Sequence, residues 1–221
     1  EVDLTSVTGT ALLLASVHDS HISGLNLSWS GTGQSGHGLH LYSSNGNLIE
    51  HLKGTNRDWG MRIDAGIAGG PSGASGNNTI QFNDFSDAGW SAIDAGWSSG
   101  SHNRYLNNNL SNAGRARDYP FALVIARDLF FEIAGNDFSN SVNGIHIGDI
   151  DELHWPDPNY VREADLRSIP GVALRLTDVN GAQIAGLDLS WAGPGRAGVG
   201  LELANSAGNT VEFVTIGNRS E

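Results

Sequence analysis

The chain has 221 residues, 30 of them glycine and none cysteine, with 39% apolar residues and a formal net charge of −12. That acidity argues against nucleic acid, whose phosphates need a basic face. No apolar run approaches the roughly 20 residues of a membrane-spanning helix, and without cysteine there are no disulfides, thiol catalysis or thiolate metal sites.

Residues 1–57 align without a gap on residues 163–219, with 27 positions identical. The octapeptide GLNLSWSG (24–31) thus returns as GLDLSWAG (186–193). Residues 1–162 therefore read as one long unit and 163–221 as the start of a second copy, in one continuous solenoid. With no initiator methionine or leader, and a pattern running to both ends, the expectation is a piece of a longer secreted or cell-surface chain.

In chain order, apolar residues pair at i and i+2: Leu12/Leu14, Leu39/Leu41, Met61/Ile63, Ile93 alone, Leu123/Ile125, Ile145/Ile147, Leu174/Leu176 and Leu201/Leu203. Alternation of this kind predicts short strands with one face buried. The second members are spaced 27, 22, 30, 32, 22, 29 and 27 residues apart. A further strand comes after most pairs, as in HISGLNLS, NLIEHLKG, NTIQFNDFS and FEIAGNDFS, with Gly, Asn, Ser and Asp between them as tight turns require. Only YVREADLR (160–167) allows a helical turn. The gaps at 66–77, 111–120 and 150–162 read as loop excursions, the last replacing the second strand of its coil.

NNTIQFNDFSDAG (77–89), GNDFSN (135–140) and GIHIGD (144–149) resemble the coil pattern of the right-handed parallel β-helix, the pectate-lyase-like superfamily. The resemblance implies an all-β solenoid of about eight coils, six to each long unit. It leaves function open, since the family spans polysaccharide lyases, epimerases, glycosidases, adhesins and tailspikes. It also implies that Asn83, Asn108 and Asn136, at one phase of successive coils, form a side-chain amide ladder.

Comparing the two copies separates framework from surface. Leu12, Leu14, Leu25 and Leu39 recur as Leu174, Leu176, Leu187 and Leu201, whereas His40, Tyr42 and Lys53 become Glu202, Ala204 and Thr215. The shared Trp29 and Trp191 suit either a wedge over a turn or a sugar-stacking platform.

The strongest chemistry lies in RDWGMRIDAG (57–66) and AGWSAIDAGW (88–97), which share I-D-A-G. With Ile63 and Ile93 inward, Asp64 and Asp94 point outward from adjacent coils about 4.8 Å apart. Their repulsion should keep one protonated, as acid/base glycoside chemistry needs. Arg62 and His40 would assist as catalytic residues, and Trp59, Trp90, Trp97 and Tyr42 would bind sugar rings. The same aspartates also suit turn capping or a shared Ca²⁺. No other cofactor is expected, and the metal question stays open. GHG (36–38) reads as turn glycines around an incidental histidine, and His146, Asp149, His154 and Asp157 as solvated loop residues.

Three functions remain: a structural or adhesive repeat module whose partners are polysaccharide or neighbouring β-helix repeats; a polysaccharide lyase, epimerase or glycosidase; and a non-catalytic glycan-binding module.

Overall fold

The computed structural model describes residues 3–65, 73–97, 102–115, 121–128, 130–151 and 160–220, with only the backbone of 97, 149–151 and 160. Among these residues there are sixteen strands and no helix. One parallel sheet stacks, in chain order, β1 (Leu12–Ala15), β3 (His37–Tyr42), β5 (Trp59–Asp64), β7 (Ser91–Trp97), β9 (Leu123–Ala126), β11 (Ile145–Asp151), β13 (Val172–Asn180) and β15 (Val199–Ala204). The other stacks β2 (His21–Ser23), β4 (Leu48–Glu50), β6 (Thr79–Gln81), β8 (Arg104–Leu106), β10 (Glu132–Ala134), β12 (Tyr160–Arg162), β14 (Gln183–Ala185) and β16 (Thr210–Glu212). A third side is closed by single parallel bridges running Asn26, Lys53, Asp84, Asn109, Asp137, Asp165, Asp188, Thr215. The chain is a parallel β-solenoid. Six coils, from β3/β4 to β13/β14, have a neighbour on both sides, so the fully stacked part is about six turns, fewer than the eight coils expected.

The paired aliphatics of the stacked coils fill the interior: Leu39, Leu41, Met61, Ile63, Leu123, Ile125, Ile145, Ile147, Leu174 and Leu176 are all buried, whereas in the end coils Leu12, Leu14 and Leu201 are half-buried and Leu203 is exposed. Each coil covers its apolar face only with the next, so stability accumulates across interfaces. Leu25, expected inward, is 39% exposed in the first coil, while its counterpart Leu187 is buried between coils.

Polar corners are satisfied from coil to coil. The Asn83 amide donates to Asn108 Oδ1 (2.9 Å) and Asn108 to Asn136 Oδ1 (3.0 Å). A second ladder, missed in the sequence, runs from Asn47 to Asn78 (3.0 Å), Asn103 (3.1 Å) and the Asp128 carboxylate (2.9 Å). Corner residues such as Ser43, Asn56, Asn107 and Asn205 have left-handed backbone, which explains the Asn- and Ser-rich turns.

Two expectations about segments need correction. Residues 160–162 form β12, paired with β10 and β14, not a helical turn. The second strand of that coil is therefore present, at the end of the 150–162 segment. Trp29 and Trp191 act as wedges: a Cβ on Gly31 or Gly193 would lie 2.2 Å from the indole ring, so the S-W-x-G spacing lets each ring lie on a bare glycine.

Candidate functional site

The outer face of β3, β5 and β7 collects the polar residues. In-register pairing sets His40 beside Arg62 and Tyr42 beside Asp64, as the spacing suggested. The next step differs. Ile93 pairs with Met61, Asp94 with Arg62 and, after a bulge, Asp64 with Trp97. The two I-D-A-G segments are therefore out of phase, and Asp94 stands opposite Arg62, not Asp64. The physical reason is Ala95, which is fully buried and pairs with Ile125. The inward pair of β7 is Ile93/Ala95, whose small second member carries no aliphatic signal.

Within this cluster His40 Nε2 lies 2.8 Å from Asp64 Oδ2, and Arg62 Nε donates to Asp64 Oδ2 and Oδ1 at 2.9 and 3.2 Å. Burial alone would raise the Asp64 pKa, but the His40 and Arg62 hydrogen bonds and charges together hold it below the ordinary value. Asp94 goes the other way: burial pushes its pKa up and the Asp64 charge adds to that, while the Gly96 N–H bond (2.9 Å), the Arg62 charge and the Trp59 indole only partly oppose it. The separation of two carboxylate affinities on neighbouring strands, expected from their mutual repulsion, thus arises mainly from the burial of Asp94 and from the His40 and Arg62 partners of Asp64.

The aromatic side of the cluster is built around Trp59. Its ring lies 4.8 Å from the His37 ring at 25° and 4.5 Å from the Trp90 ring at 48°, with the Arg62 guanidinium 5.8 Å above it. His37, read from sequence as incidental to GHG, belongs here. Its Nδ1 lies 3.0 Å from Thr10 Oγ1, whereas its buried Nε2 has no partner among the described residues. Burial, then the His40 and Arg62 charges, depress its pKa to about 4, so it is neutral at pH 7. The available signal was the duplicate: GHG becomes GVG in the second copy. One expected sugar platform differs from the reading: Tyr42 is 4% exposed and offers no open ring face. The Trp97 side chain lies outside the described residues.

His154 and Asp157 also fall outside the described residues. Among those described, no three His, Asp or Glu side chains converge to hold a cation. Comparison with protein-family models, curated proteins and solved structures yields no match in any of the three.

Proposed function

We propose that the chain is an extended repeat module of a large secreted or cell-surface protein, built like the pectate-lyase-like β-helices, which contacts polysaccharide through the outer face of β3, β5 and β7. The observation carrying this reading is the half-buried Trp59 between His37 and Trp90, bordered by the His40–Asp64–Arg62 chain. An indole beside fixed hydrogen-bonding groups suits a sugar ring, apolar on its faces and polar at its rim. The duplication supports the module role, since the second copy repeats the framework but replaces His37 and His40 by Val199 and Glu202. Affinity electrophoresis in gels containing soluble polysaccharides tests the reading: at least one should retard the wild type, and Trp59→Ala should abolish the retardation. A wild type that migrates freely through every gel would refute it.

A carbohydrate-active enzyme is the second reading, favoured by one observation: Asp94 holds its proton to higher pH while Asp64 stays ionised. Such a pair divides into a general acid and a base or nucleophile, with Arg62 and His40 orienting Asp64. Turnover of a polysaccharide that survives Asp64→Asn unchanged would exclude that assignment.

A further inference from the structure

The corner after each strand of the second sheet is turned by one residue of left-handed backbone. Gly24, Gly135 and Gly186 stand there in three coils, the residue that adopts this conformation without steric cost. The other five coils place a side chain at the same corner, Asn107, Glu163 and Phe213 and, in two neighbouring coils, His51 (φ 55°) and Phe82 (φ 53°). A bulky side chain there is strained, and strain of that kind points to a role beyond folding.

The two rings stack face to face, centroids 5.7 Å apart at 10°, and Phe82 is nevertheless 49% exposed. They border an open groove of about 530 Å³ whose polar wall is Lys53, Asp84, Asn107 and Asn109. All of the Asp84 side-chain bonds use Oδ1, which accepts from Ser86 and Asn109, so Oδ2 keeps its accepting capacity. Lys53 makes no ion pair with a described residue. The aromatic position recurs as well, since Phe213 occupies the His51 position in the second copy.

We propose that this groove is a second binding site, distinct from the outer face of β3, β5 and β7, and that it takes a neutral, hydroxyl-rich glycan chain. The Phe82 ring would carry a pyranose face, and Lys53, Asp84 and Asn107 would bond its hydroxyls. The groove crosses three coils, about 10 Å at the spacing of parallel strands, and its openness lets a chain pass through. The opposite charges of Lys53 and Asp84 leave the wall nearly neutral, while the net charge of −12 disfavours polyanions. The proposal uses none of the residues of the first site and stands or falls separately.

The test is calorimetric titration of the whole chain with cellohexaose, xylohexaose and mannohexaose, with a galacturonate hexamer as the acidic control. At least one neutral hexasaccharide should bind, Phe82→Gly should weaken it at least about tenfold, and Phe82→Tyr should retain it. Glycine serves this corner in three other coils, so Phe82→Gly should stay folded, as circular dichroism will show; Lys53→Ala provides an independent variant expected to weaken binding. Failure of every neutral hexasaccharide to bind, or tighter binding of the acidic one, overturns the proposal. If Trp59→Ala abolishes binding and Phe82→Gly does not, the glycan occupies the first site and this inference alone falls.

Discussion

Coil two and its duplicate carry the same framework under different faces. Arg57 is fully buried, with no counter-ion among the described residues; its guanidinium donates to the carbonyls of Leu27 (2.7 Å), Val7 (2.6 Å), Leu4 (3.1 Å), Ser28 (3.2 Å), Ser35 (3.2 Å) and Gly9 (3.4 Å). Arg219 repeats five of these six bonds 162 residues later, on Leu189, Ile169, Leu166, Ser190 and Ala197. Outside, the register pair Leu13/His40 is replaced by Arg175/Glu202, joined by a 2.5 Å ion pair. The lesson is one of constraint. An interior cation answers to carbonyls on two other coils and cannot change alone, whereas an outward residue answers mainly to the side chains beside it on the neighbouring strands and can change together with them.

The comparison breaks most visibly at Arg57. Arg57→Met should cost about 3–5 kcal/mol in urea unfolding, because buried carbonyls lose their donors, whereas the partly exposed Arg62→Ala should cost no more than about 1 kcal/mol. Equal losses would mean that the buried cation is not special. A second test contrasts the two amide ladders, one ending in neutral Asn136 and the other in Asp128. Burial raises the Asp128 pKa to about 7, with bonds from Asn103 and Tyr105 partly opposing it. Folded Asp128 therefore keeps a proton that the unfolded chain releases near 4, so its contribution to stability is full below that pH and is lost as pH rises to about 7. Compared with wild type, Asp128→Asn should gain roughly 2–3 kcal/mol between about pH 5 and pH 8; a pH-independent gap would contradict a proton held there. The smallest effect belongs to the double change Leu13→Arg with His40→Glu, which copies the second unit's pair onto the first. Stability should fall by about 1–2 kcal/mol, because the introduced carboxylate meets Asp64 where the imidazole of His40 did, while polysaccharide retardation through the first site should fall with the loss of His40.

Much of the architecture was legible because its periodicity is written in large aliphatics. Leu39, Met61, Leu123, Ile145 and Leu174 announce their strands, and Asn83, Asn108 and Asn136 announce their ladder. The neighbourhood of His40, Arg62 and Asp64 was legible, but the part played by His37 and the register were not: Ala95 hides the phase of β7, and a bulge after Arg62 shifts the pairing of Asp64. Arg57 was hidden for the opposite reason, since a charged side chain is expected in solvent; only its recurrence as Arg219 hinted otherwise. Asp128 gave no local signal, because its partners Asn103 and Tyr105 lie 25 and 23 residues back, one coil away.

The reach of Arg57 also has a mechanical side. A solenoid of uniform coils, drawn out lengthwise from its amino end, would unravel one coil at a time under nearly constant load. A guanidinium that grips the carbonyls of Leu4 and Val7 together with those of Leu27 and Ser28 rivets the first two coils into one bundle. They should yield in a single rupture, releasing roughly 190 Å of slack at about 3.5 Å per residue.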